Sequence, residues 1–331
     1  MSSNKNSICF SHMEDPDGII SAALIKQVFN SDIKLVNYNN FINELQKIEN
    51  NQNLEELIIC DLEIKLNNLE IFFKIIENLS KRNVSILYID HHNLSLNSNE
   101  KLKKLNVQII HSSDECTSSL IYDNFIDKLR KNSSLLSACA CITDNRENGI
   151  IAKKILQKND LMYVRLNSSL IWYYIQNNQN SQKKLDIIVD QFYNNYHPLE
   201  IKNIFDEAKS FSLKINDSID KINEKTKKFR NFECMEISNG KLEFTAEKIL
   251  STSEKNVSLV YRIYSNKIIK EIVILSNNFC EKNIGKITND LSSAFNGTGG
   301  GDPKKSAAII PKQNFKKFLE EFDLSLDLST K

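Results

Sequence analysis

Four short stretches carry residues able to do chemistry. SICFSHMEDPDG holds His12, Asp15 and Asp17, LIICD ends on Asp61, and VSILYIDHH ends on Asp90, His91 and His92. The fourth, CACITDNRENG, places Asp144 after an apolar helical stretch. The chain has five histidines, and three of them fall in these stretches. Carboxylates and imidazoles without thiolates suit Mn²⁺ or Mg²⁺ better than a structural zinc site. Asp15 and Asp17 are two residues apart, so in an extended segment they share a face. In a turn such as PDG they point instead at two neighbouring cations. A bridged pair of metals ~3.5–4 Å apart is the arrangement used for phosphoryl hydrolysis. Such a pair turns bound water into a nucleophile and neutralises phosphoryl oxygens. Gly18 permits tight backbone geometry beside the cluster.

The elements that must position these residues follow from the apolar pattern. SICFS, IKLVNY, ELIICD, VSILYID and VQIIHS read as strands, and amphipathic helical stretches separate them. Alternating strands and helices imply βαβ units and a mostly parallel sheet. The strands are continuous apolar runs, as expected when helices cover both faces. Ligands of such sheets sit outside the carboxyl ends of the strands, and three strands end on an acid or an imidazole. From about 150 to 230 the pattern is helical and increasingly polar. Beyond 230, FECMEIS, LEFTA, VSLVYRIYS and IIKEIVILS read as strands, followed by a helix, the glycine-rich NGTGGGDPKKSAAIIP and a last amphipathic helix.

These motifs resemble the DHH-superfamily phosphoesterases, the group of RecJ nucleases, nanoRNases, cyclic-dinucleotide phosphodiesterases and family II inorganic pyrophosphatases. SHMEDPDG, LIICD, YIDHH and ITD match the first domain, and GTGGGDPKKSAA the second, in the family's order over residues 11 to 308. The resemblance implies an α/β fold: a parallel-sheet DHH domain (1–195), a helical connector (196–230) and a smaller α+β substrate-binding domain (231–331). It implies two divalent metal ions, Mn²⁺ preferred with Mg²⁺ as the alternative. It assigns His12, Asp15, Asp17, Asp61, His91 and Asp144 as metal ligands, with Asp61 bridging. His92 would contact the scissile phosphate and Asp90 would support it. Gly299, Gly300 and Gly301 would bring backbone N–H groups to phosphate across a cleft, with Lys304 and Lys305 nearby. Asp302 stands where the family's glycine loop usually continues with His, which removes a donor and repels phosphate.

The expected activity is Mn²⁺-dependent hydrolysis of short single-stranded oligonucleotides, as an exonuclease or nanoRNase. A cyclic-dinucleotide or phosphoadenosine-phosphate phosphodiesterase is the alternative with the same chemistry. An inactive RecJ-like scaffold in a replication complex is the alternative of another class, and a homodimer or a replication or repair partner stays open. Lys+Arg is 43 against Asp+Glu 42, a net charge of +1, which argues against a dominant basic surface for long nucleic acid, leaves room for a local basic groove and favours a short polyanion. The longest apolar runs fall far short of the ~20 residues of a membrane-spanning helix. The N-terminus has no signal-peptide core, and seven scattered cysteines without CxxC suit buried thiols in a cytoplasmic protein. His111, His197 and the aromatic run Trp172–Tyr173–Tyr174 read as packing or surface residues.

Overall fold

The structure is a computed structural model and describes residues 6–64, 68–238, 242–263 and 268–327. The chain forms two compact units, 1–212 and 213–331. The first runs β1 (Ser7–His12), α1 (Pro16–Phe29), β2 (Asp32–Val36), α2 (Phe41–Glu49), β3 (Glu56–Cys60), α3 (Leu69–Lys81), β4 (Ser85–Asp90), α4 (Leu96–Lys104) and β5 (Gln108–His111). Helices α5 (Thr117–Phe125), α6 (Ser133–Thr143), α7 (Ile150–Leu156), α8 (Leu161–Asn178) and α9 (Gln182–Tyr193) follow. Helix α10 (Ile204–Lys225) is continuous through the division between the units.

The five strands of the first unit are all parallel, in the order β2-β1-β3-β4-β5. Successive side chains alternate between two cores, as the two-residue strand period requires. Cys9, Ile58, Cys60, Leu87 and Ile89 join the core beneath α1 and α5 to α9. Ile8, Phe10, Leu57, Ile59, Ile86 and Tyr88 join the core beneath α2, α3 and α4. Both faces are therefore buried, which is why these strands read as unbroken apolar runs. The order 2-1-3-4-5 reverses direction between β1 and β3, and a doubly wound sheet opens its ligand crevice at that reversal. Tyr173 packs on the Phe211 ring, Tyr174 is buried, and His197 caps a short 3₁₀ turn, so all three are structural.

The second unit holds β6 (Lys227–Lys228), β7 (Glu233–Glu236), α11 (Leu242–Thr252), β8 (Val257–Ile263), β9 (Ile268–Ser276), α12 (Ile284–Ala294), β10 (Thr298–Gly301), β11 (Lys305–Pro311) and α13 (Lys312–Asp327). Its sheet is mixed, in the order β10-β11-β9-β8-β7-β6, with β7 and β8 parallel and the other pairings among the described residues antiparallel. Two expectations fail here. LEFTA, read as a strand, opens α11, whose Leu242, Ala246 and Ile249 lie on one buried helical stripe. The short window shows a strand-like run, but the apolar spacing continues at helical period through the next turn. The glycine-rich loop is an edge strand, β10, paired with β11 from Thr298↔Ile309 to Gly301↔Ser306. Glycine is weak as a strand former, and here tertiary pairing decides. Tyr264 and Ser265, at the end of the VSLVYRIYS run, lie outside the described residues.

Candidate metal centre

The first motif builds its geometry locally. Asp15 is the N-cap of α1, and its Oδ1 accepts from the Gly18 amide at 3.0 Å. Pro16 fills the first helical position, where no amide hydrogen is needed. This capping leaves Asp15 Oδ2 facing His12 Nε2 at 3.4 Å. A Cβ on residue 18 would stand 2.2 Å from the His12 carbonyl oxygen, so only glycine lets α1 start directly above the end of β1. Asp17 is 1% exposed, and its carboxylate accepts from the Thr117 amide at 2.7 Å and the Ser118 amide at 2.8 Å. The first turn of α5 thus holds this carboxylate, as helix N-termini hold anions.

Asp61 follows β3 in a left-handed conformation, φ 56°, which Asp tolerates better than most residues. Its amide donates to the Ile89 carbonyl at 3.1 Å, tying it to the end of β4. Asp61 Oδ1 lies 3.2 Å from His91 Nε2 and accepts from the Thr117 hydroxyl at 3.3 Å. His91 Nδ1 lies 3.4 Å from Asp144 Oδ2, at the C-cap of α6. His92 turns the other way. Its Nδ1 is 2.8 Å from Asp90 Oδ1, while Asp90 Oδ2 accepts from the Tyr88 hydroxyl at 2.6 Å.

Two sets of side chains converge. Asp61, Asp90, His91 and His92 each offer an atom within 4.8 Å of the others, as do Asp17, His91 and Asp144. His91 belongs to both. His12 and Asp15 stand as a separate neighbouring pair. Four buried atoms in these residues have no hydrogen-bond partner: His12 Nδ1, Asp61 Oδ2, His91 Nδ1 and Asp144 Oδ2. Buried polar atoms are ordinarily satisfied. Three of these atoms, Asp61 Oδ2, His91 Nδ1 and Asp144 Oδ2, lie in the converging sets, and unsatisfied carboxylate oxygens and an imidazole nitrogen gathered there fit a divalent cation.

The electrostatics agree. Burial raises the Asp61 carboxyl well above the usual range, and Asp15, Asp17, Asp90 and Asp144 push it the same way. Burial together with Asp17 and Asp15 lifts Asp144 to about 8. Burial also holds His91 down, toward the neutral form that ligates metal. Burial opposes charge on Asp90 too, but the hydrogen bond and charge of His92 outweigh it and hold Asp90 low. Burial disfavours the His92 imidazolium, yet the Asp90 hydrogen bond outweighs that and raises His92.

These shifts fix a pH dependence. Between pH ~4 and ~8 the folded, metal-free chain binds more protons at Asp61 and Asp144 than the unfolded chain, so its stability falls as pH rises. His91 is held down and His92 is held up, so their contributions have opposite signs. The expected result is a melting temperature in chelator that drops from pH 4.5 to 8, with the slope flattened by Mn²⁺. At pH 8, metal at 100 times its Kd adds about 2.7 kcal/mol of stability. A chelated protein whose melting temperature rises across that window contradicts this electrostatic picture.

Several neighbours escaped the sequence reading. Tyr38 reaches His92 Nε2 at 3.2 Å, Tyr88 orients Asp90, and Thr117 braces Asp61. His111, read as unimportant, lies with its Nε2 2.6 Å from the His92 carbonyl. Tyr38 and His111 follow the same rule as the ligands, since each lies at or just past the carboxyl end of a strand.

In the second unit, Gly299 and Gly300 line a groove of about 450 Å³ with Thr298, Leu242, Val273 and Ile309. Gly300 and Gly301 have φ of 147° and 148°, conformations closed to other residues. Both lysines are engaged within the chain: the Lys304 amine donates to the Asn277 and Cys280 carbonyls, and Lys305 pairs with Glu243.

Residues 6–143 match the DHH family, N-terminal domain. The fold of the chain is RecJ-like. A search of curated protein sequences found no match. Among solved structures it is similar to a pGpG-specific phosphodiesterase, PggH, from Vibrio cholerae, at 10% identity and TM-score 0.60 over 98% of this chain and 99% of that one. It is similar to a DHH domain described as a member of the s1p family of ribosomal proteins, at 12% identity and TM-score 0.73 over 99% and 88%. It also matches RecJ in complex with Mn²⁺ from Thermus thermophilus, at 10% identity and TM-score 0.64 over 99% of this chain and 53% of that one. At these identities the likeness establishes the fold.

Proposed function

We propose that this protein is a Mn²⁺-dependent phosphodiesterase acting on short single-stranded oligonucleotides, dinucleotides above all. The observation that carries the reading is the set of buried atoms on Asp61, His91 and Asp144 that lie in the converging sets without a hydrogen-bond partner. Asp17, Asp61, His91 and Asp144 would hold the metals, with His12 and Asp15 completing the first-motif side. Oxygen and imidazole donors without thiolate favour Mn²⁺, then Mg²⁺. A bound pair of divalent ions supplies water activation and charge neutralisation on the phosphoryl group. The chain itself orients the ligands through α1 and α5, and Asp90 fixes the ring of His92 beside the scissile phosphate. Gly299, Gly300 and Gly301 would offer backbone N–H groups to a substrate phosphate.

The size of substrate is supported by the near-neutral net charge of +1 and by PggH, a phosphodiesterase named for the dinucleotide pGpG, which this chain matches over 98% of its length. Among the described residues no helix is long and apolar enough to cross a membrane. Seven buried, free cysteines fit a reducing compartment, and we place the protein in the cytoplasm. The test is a panel of labelled 2- to 24-mers and cyclic dinucleotides with Mn²⁺, resolved by product length. We expect mononucleotides from the shortest strands at the highest rate. Fastest cleavage of the 24-mer, or of a cyclic dinucleotide, overturns the substrate assignment.

Asp302 gives a separate expectation for the glycine strand. If the backbone of β10 meets substrate phosphate, Asp302→His removes a repelling carboxylate and adds a donor, and KM for a dinucleotide falls several-fold. An unchanged KM means that this strand does not touch substrate.

A further inference from the structure

The chain beyond β2 leads through Asn37 to Tyr38, at the same sheet edge as the acids and imidazoles. The Tyr38 ring lies against His12, with centroids 4.8 Å apart, and meets the His92 ring edge-on at 6.3 Å. Its hydroxyl is 3.2 Å from His92 Nε2. The opposite nitrogen of His92 is committed to Asp90, and Asp90 to Tyr88. Tyr88, Asp90, His92 and Tyr38 thus form one hydrogen-bonded chain. Tyr88 and Asp90 are each 1% exposed, so that end is fixed, while Tyr38 is only half-buried.

An anionic substrate entering here needs donors that carry no negative charge, and hydrogen bonds to a charged acceptor are the stronger kind. A phenol meets the need, and it stands on the atom of His92 that points away from Asp90.

We propose that Tyr38 contacts substrate: its hydroxyl, beside His92 Nε2, donates to a non-bridging oxygen of the phosphoryl group lying next to that imidazole. Asp90 holds His92 Nδ1 throughout, so the ring keeps its orientation. The inference rests on the phosphodiesterase reading above and adds a residue that no motif of the sequence marks.

Tyr38→Phe removes the hydroxyl and keeps the ring on His12. With Mn²⁺ and a dinucleotide, kcat/KM falls ten- to hundredfold, the range of one hydrogen bond to a charged acceptor. Affinity for inorganic phosphate falls with it, while Mn²⁺ affinity and melting temperature stay at wild-type values. In a His92→Ala background Tyr38→Phe still lowers kcat/KM about tenfold, because the hydroxyl touches substrate itself. Wild-type kcat/KM in Tyr38→Phe overturns the inference. So does an effect that vanishes in the His92→Ala background, which makes Tyr38 a residue acting only through His92. An inert wild type overturns the phosphodiesterase reading as well, whereas an active wild type matched by Tyr38→Phe overturns this inference alone.

Discussion

Asp61→Asn is expected to lower Mn²⁺-dependent hydrolysis of a dinucleotide by at least about 10³-fold. Changes in the partners that orient metal ligands already reduce activity or affinity 10- to 100-fold, and a ligand in the converging set exceeds that. Asn is the right probe because residue 61 has φ 56°, which Asn adopts readily and Ala does not. The amide bond from residue 61 to Ile89 survives the substitution. The fold has no need of the charge. Asp61 is buried among Asp15, Asp17, Asp90 and Asp144, all of which oppose its ionisation. The chelated variant therefore melts at or above the wild-type temperature, while its stabilisation by Mn²⁺ is lost. A chelated variant that melts far below wild type would give Asp61 a structural role and sink this account of it.

The second large effect separates the two adjacent histidines. His91 belongs to both converging sets and has a buried nitrogen without a hydrogen-bond partner. His92 is tied to Asp90 and Tyr38 and is partly open to solvent. His92→Ala is expected to lower kcat by about 10²–10⁴-fold, the range of a side chain that acts on the reacting group. Its Mn²⁺ affinity stays within a few-fold of wild type. His91→Ala loses activity and Mn²⁺ affinity together. Titration calorimetry on the two variants makes the comparison, and equal metal affinities in both contradict the division of roles.

Much of this was legible in the sequence because one rule covers it. Continuous apolar strands predict a sheet buried on both faces, and the alternation of Cys9, Phe10, Ile58 and Ile59 between two cores bears that out. Such a sheet presents its strand ends, so Asp61 and the Asp90–His91–His92 run had to meet at one edge. The same rule extended to β2 and β5 would have marked Tyr38 and His111. Tyr38 was missed because a phenol does not suggest a ligand, and His111 because no acid or second imidazole adjoins it in the sequence.

Thr117 and Tyr88 were not legible in this way. Thr117 reaches Asp61 from 56 positions away, and Tyr88 looks like any other apolar strand residue until its hydroxyl is seen on Asp90. The glycine stretch misled for a physical reason. Glycine reports freedom of the backbone, and only its pairing with Ser306 to Ile309 shows that the freedom is used for an edge strand. Charge at a phosphate motif suggests an anion, and in the structure the amines of Lys304 and Lys305 bind two carbonyls and a carboxylate of the chain.

The proposed function requires two cations held by the buried acids and imidazoles at the strand ends. Titrating the chelator-treated protein with Mn²⁺ at pH 7.5, by calorimetry in two buffers of different ionisation enthalpy, tests it most directly. Two equivalents of Mn²⁺ per chain, bound with net proton release from Asp61 and Asp144, are the predicted result. A protein that binds no Mn²⁺, or binds it without releasing protons, contradicts the account.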